Sequence, residues 1–162
     1  MSRNVLYCWA AFVALLAGCL AEPPEDSRRI AVVDLDEASY ASLVHPVMEK
    51  TCGAADCHGK EPRGLRVYGK TALRLPGETG ETSPAEIRAT YVSIVGLEPE
   101  KTNDFARRDP RSTEEAYRLL VLAKPLGIER HRPGVSLRKG EKAEQCLLSW
   151  LMGHVDAASC TD

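Results

Sequence analysis

Cys52-Gly53-Ala54-Ala55-Asp56-Cys57-His58-Gly59 is the stretch on which the reading of this chain turns. Two thiols stand four residues apart, a histidine follows the second directly, and a glycine follows the histidine. Covalent attachment of a haem needs two thiols that add across its two vinyl groups. It also needs a neutral imidazole directly after the second thiol, so that the ring turns under the iron. The usual gap between the cysteines is two residues, and here it is four. Two other readings of the same residues stay open. A Cys52–Cys57 disulfide would leave His58 as a turn residue. A zinc site would draw further ligands from His45 or His131, at no recognisable spacing.

Upstream, Asp34 or Asp36 is a candidate cap for a helix carrying Tyr40, Leu43, Val44, Val47 and Met48. That spacing makes one apolar stripe, and Pro46 is expected to kink or split the helix. Met48 and Met152 read as core packing, and His45 and His154 as surface histidines. Downstream, 59–80 is rich in glycine, proline and charge and reads as a loop with a brief extended segment at Leu65, Val67 and Tyr68. Ser83-Pro84-Ala85-Glu86 forms a capping box ahead of a helix faced by Ile87, Tyr91, Ile94 and Val95, with Gly96 at its end. Asp109-Pro110 marks a turn, and Ser112 with Glu115 predicts a second capping box on a helix reaching about Leu122. Residues 124–134 form a loop holding His131 between Arg130 and Arg132. A last helix is expected from about Lys139 to Met152, with Ala143, Cys146, Leu147, Trp150 and Leu151 on one face and Gly153 stopping it. No internal repeat and no convincing sheet is legible, so the expected fold class is all-α.

The N-terminus reads as an export signal. Arg3 precedes an uncharged apolar run from Val5 to Ala17, which is too short to cross a bilayer of about 30 Å. Leu16-Ala17-Gly18-Cys19 resembles a bacterial lipobox, which implies lipidation of Cys19 and cleavage before it. Leu20 at the next position resembles the pattern sorted to the outer membrane. The alternative is an ordinary secretory signal with a chance cysteine. The expected organisation is a signal peptide over 1–18, a lipid-anchored tether over 19–35 and one domain over 36–162. The expected site is the cell envelope, anchored to the outer membrane and facing the periplasm or the surface.

The chain holds 21 Lys and Arg against 23 Asp and Glu; the signal contributes only Arg3 to that balance, so the mature charge is -3. A mildly acidic chain without a basic tract is a poor nucleic-acid binder. With two phenylalanines the core is modest and calls for a cofactor or crosslinks. Cys146 and Cys160 form a second pair, whose disulfide would pin the C-terminal tail along the last helix; two free thiols are the alternative. Hydrolase and phosphate-loop motifs are absent, and the scattered acids read as a solvated face.

The order of an apolar helix ending in Pro46-Val47-Met48, the cysteine–histidine stretch and a closing helix with Leu148-Ser149-Trp150-Leu151 resembles the cytochrome c family. Leu65-Arg66-Val67-Tyr68 and Lys124-Pro125-Leu126 match as well. The likeness is to single-domain cytochrome c-like lipoproteins of Gram-negative bacteria and covers roughly residues 36 to 155. It implies one haem c on thioethers to Cys52 and Cys57, with His58 as the proximal iron ligand. In that family the distal ligand comes from the loop before the last helix, where this chain offers His131. The implied role is electron transfer to a redox partner protein rather than enzyme catalysis. The rival reading is a haem-free relative, stapled at Cys52–Cys57 and Cys146–Cys160, acting as a binding or structural module.

Overall fold

The computed structural model describes residues 35–132 and 134–161. The expected signal peptide, Cys19, Asp34 and nearly all of the tether lie outside them. Asp36 caps the first helical stretch, its carboxylate accepting the Ser39 amide at 3.0 Å. That stretch runs through α1 (Glu37–Ser39), a π-helical turn (Tyr40–Val44) and α2 (His45–Cys52). Pro46 was expected to kink or split it. The stretch is indeed divided: Pro46 lies in the first turn of a separate α segment, behind a π-helical widening, and its missing N–H leaves one helical bond unmade. The His45 amide donates to the Tyr40 carbonyl, and the Ser42 hydroxyl turns back to Ala38 O at 3.0 Å. Tyr40, Val44 and Met48 are buried along the expected stripe, and Leu43 and Val47 are partly so.

Residues 53–83 are irregular, and their brief extended segment appears as an isolated parallel bridge between Tyr68 and Leu73. Glu49 organises this loop, its carboxylate accepting Thr71 N at 2.7 Å and the hydroxyls of Thr71 and Thr82. Helix α3 (Pro84–Val95) starts at the expected Ser83–Glu86 capping box and ends at Gly96. Glu86 is fully buried, because its second oxygen also takes the Leu75 amide and the Arg74 side chain. Glu144 is buried likewise, accepting Tyr117 Oη at 2.7 Å and Gly140 N at 2.9 Å. These two acids are therefore interior struts, not the solvated face expected of them.

Helix α4 (Pro99–Ala106) has no counterpart in the sequence reading. The helix expected from Ser112 to Leu122 is broken into α5 (Thr113–Ala116) and α6 (Leu120–Ala123). Ser112 makes no capping bond, since Glu115 is drawn instead to Arg108 at 2.6 Å. The break follows from competing partners: Leu119 turns extended into the core, and the Leu120 amide donates to Glu98 Oε2 at 2.6 Å.

The last helix, α7 (Lys142–Leu151), starts three residues later than expected, after a turn at Gly140. Gly153 ends it with φ at +86°, a left-handed conformation suited to glycine. His154 N then reaches Ser149 O and Gly153 N reaches Trp150 O, closing a Schellman motif. Arg111 donates to Leu151 O and Ala106 O, tying the C-terminal ends of α7 and α4 together where a cation offsets both dipoles. Trp150 packs on Tyr40 with ring centres 5.2 Å apart, and its Nε1 donates to Asp36 O at 3.0 Å. Among the described residues, the last helix thus closes on the first helical stretch. Cys146 and Cys160 are joined, with Cα atoms 4.9 Å apart. The fold of the described residues is all-α, as expected.

Candidate functional site

The chain leaves α2 at Cys52 and folds straight back on it. His58 N donates to Cys52 O at 3.0 Å, while Cys57 N and Gly59 N both donate to Ala54 O. The glycine after the histidine has a steric reason: a Cβ at Gly59 would run into the Gly53 carbonyl. His58 is fixed further by Val67 N, which donates to its carbonyl at 2.9 Å. Its ring Nδ1 lies 3.0 Å from Leu65 O. A carbonyl only accepts, so Nδ1 carries the proton, and the neutral ring keeps its free lone pair on Nε2.

His131 repeats this arrangement on the other side. Its Nδ1 donates to Gly134 O at 2.7 Å, which leaves Nε2 as the acceptor. The loop that carries it is braced on α6, with Ile128 N and Glu129 N on Ala123 O and Ser136 N and Leu137 N on Pro125 O. The rings of His58 and His131 have centres 5.9 Å apart and planes within 10° of parallel. Neither Nε2 has a hydrogen-bond partner among the described residues. His131 stands between Arg130 and Arg132. It is half-buried, whereas Arg130 and Arg132 are exposed although they line the same cleft.

Both histidines line one cleft of about 410 Å³, together with Cys52 and Cys57. Its walls are largely apolar, with Met48 from α2, Leu65 from the loop after His58, Leu97, and Leu120, Val121 and Pro125 from α6 and beyond. Met48 is buried core, as expected, but it also faces the cleft. Cys52 and Cys57 are unbonded thiols. Burial, then the neighbouring Cys57, pushes Cys52 up to about 12. Burial and Asp56 raise Cys57 as well. His58 is lowered, first by burial and then by His131 and Arg63, which outweigh the Leu65 carbonyl. The site therefore presents two protonated thiols and a neutral imidazole.

These residues fit a haem on observations of the site itself. Two imidazoles tied at Nδ1 with Nε2 unbonded, beside two free thiols in one largely apolar cleft, are the donor set that a haem c takes. A second-shell carbonyl on Nδ1 is how a metal-binding histidine is held in register. Among the described residues no three His, Cys, Asp or Glu side chains gather into a group that could hold a metal ion. His45, read as a possible ligand and as a surface residue, is neither near the cleft lining nor exposed. It is 2% exposed beneath Tyr40, with Nδ1 3.2 Å from the Tyr40 hydroxyl. His154 is exposed, and Met152 does not line the cleft.

Local sequence reading missed Arg63, which lines the cleft with no motif around it, and gave no site role to Lys124, which lines it as part of the quoted Lys124-Pro125-Leu126 stretch. No protein-family model, curated protein or solved structure matches the chain.

Proposed function

We propose that this is a c-type cytochrome-like electron carrier, held at the cell envelope by a lipid on Cys19. The observation that carries the reading is the pairing of His58 and His131. The two rings come from positions far apart in the chain, are near-parallel in one apolar cleft, and are each tied at Nδ1 so that Nε2 is free. Cys52 and Cys57 would hold the haem through thioethers, and His58 and His131 would ligate its iron. When bound, the iron supplies one-electron exchange between ferrous and ferric states, with burial and axial ligation setting its potential.

The protein's own work is positional. The Leu65 and Gly134 carbonyls hold both imidazoles in the tautomer a metal needs. The apolar walls exclude water, which limits reorganisation around the changing charge. The thiols remain protonated, which guards them against chance oxidation. On this reading the protein is a carrier for a redox partner protein rather than an enzyme.

The test is expression with a cytochrome c maturation system, followed by haem staining of a denaturing gel. The stained band should lie in the membrane fraction, shift to the soluble fraction with Cys19→Ala, and vanish with Cys57→Ala. His131→Ala should keep the stain and change the low-spin absorption spectrum. A matured protein with no Soret band, in which Cys52 and Cys57 are linked to each other, would leave the stapled binding module instead.

A further inference from the structure

The charge pattern of the cleft is one-sided. Arg63, Lys124, Arg130 and Arg132 line it, and no aspartate or glutamate does, although the whole chain carries net charge -2. Among the four, Lys124 has Glu129 at 3.9 Å and donates to Arg130 O. Arg63 differs from the others. Its Nη2 donates to Asp56 O at 3.2 Å, which fixes the guanidinium beside the cysteine–histidine turn. Its Nε is buried and has no hydrogen-bond partner among the described residues. No carboxylate among those residues forms an ion pair with it.

A guanidinium half-buried beside an apolar cleft, with donor capacity unspent, is incomplete by the ordinary rule that buried polar groups find partners. The fork of an arginine matches a carboxylate best. An occupant that suits both the apolar walls and this cation has a flat apolar body and carries carboxylates at its edge. We propose that Arg63 is the carboxylate-binding residue of the cleft, gripping an acidic arm of a porphyrin occupant. The identity of the occupant rests on the haem reading above; the role of Arg63 rests on the cleft. Arg130 and Arg132, exposed in the same lining, add long-range attraction that salt screens.

Metal-free protoporphyrin IX separates the two ideas, because it needs neither an iron ligand nor a thioether. The probe is added to the haem-free full chain carrying Cys19→Ala, and binding is followed by porphyrin fluorescence. Arg63→Gln should weaken protoporphyrin IX at least tenfold, and Arg63→Lys should recover part of that loss. Protoporphyrin IX dimethyl ester, whose arms are uncharged, should bind the parent chain and Arg63→Gln alike. That second probe also reports whether the variant still has a cleft. Equal losses for acid and ester on Arg63→Gln, unchanged affinity for the acid, or no porphyrin binding by the parent chain would each overturn the proposal. If the acid–ester discrimination is found while the matured protein lacks the haem stain, the carrier reading falls and the Arg63 assignment stands. Stain without discrimination has the opposite consequence.

Discussion

His45 shows how one residue changes meaning between sequence and structure. Beside Pro46 it reads as an exposed residue at a kink, but the π turn before the proline rotates it inward, under Tyr40. Burial lowers its pKa, more than the carboxylates of Glu49 and Glu86 raise it. Its Nε2 lies 3.7 Å from Glu49 and makes no hydrogen bond. His58 is also lowered, with burial the largest cause. A histidine with a depressed folded-state pKa binds its proton more readily in the unfolded chain. Its contribution is therefore complete above the unfolded value near 6.5 and is lost as pH falls through and below it. The haem-free protein should lose thermal stability between pH 7 and pH 5, by at most about 1.4 kcal/mol per pH unit for each histidine. His45→Gln should flatten that slope. Glu49 adds loss only at lower pH: burial alone would raise it, but the bonds from Thr71 and Thr82 together hold it below its usual value. A melting midpoint independent of pH over 7 to 5, or a slope unchanged in His45→Gln, would count against this account.

At the scale of elements, two identical sequence patterns gave different outcomes. Ser83 and Glu86 complete their capping box, and the buried Glu86 also anchors the preceding loop. Ser112 and Glu115 have the same spacing, but Arg108 claims Glu115, and Ser112 is left without a capping bond. The rule for a helix start is local, whereas the competitor arrives through the turn at Asp109-Pro110, so the two cases look alike in the sequence. Ser83→Ala should therefore cost about 1 kcal/mol in urea unfolding. Ser112→Ala should fall within roughly 0.5 kcal/mol of the parent. Equal losses would mean that the difference between the two starts has no energetic weight. Helix α4 was illegible for a related reason. Its buried face includes Thr102 and Asn103 beside Phe105 and Ala106, so apolar periodicity is weak. Its N-cap is Glu98, which makes no capping bond and serves Leu120 instead. The strongly patterned α2, α3 and α7 were readable because each buries an aliphatic or aromatic stripe against the same core.

On the scale of the whole molecule, the near wall of the cleft was legible because its chemistry is contiguous, from Cys52 to His58. The far wall was not legible from local pattern, since nothing local distinguishes a loop histidine between arginines from a solvated one; only the family resemblance pointed to His131. Only the bracing of 124–137 on α6 brings His131 opposite His58. The second cysteine pair follows a simpler logic, because both partners lie near one helix. Cys146 is buried on α7, and Cys160 returns to it through a tail with its own bonds, Asp156 N to Ser149 Oγ and Ser159 Oγ to Asp156. The crosslink closes a sequence separation of 14 residues. In the chain-entropy model a loop of that size removes about 3 kcal/mol of freedom from the unfolded chain. Neither cysteine lines the cleft, so the crosslink and the candidate site should be separable. The double variant Cys146→Ser, Cys160→Ser is expected to lose up to about 3 kcal/mol in urea unfolding. It should keep the same haem stain and spectrum as the parent, and the parent should converge on its stability when reduced. A loss below roughly 0.5 kcal/mol would show that the tail's own bonds already hold it. Loss of the stain with the fold intact would show that the tail supports the cleft through the far face of α2, where Thr51 and Cys160 share a second hollow.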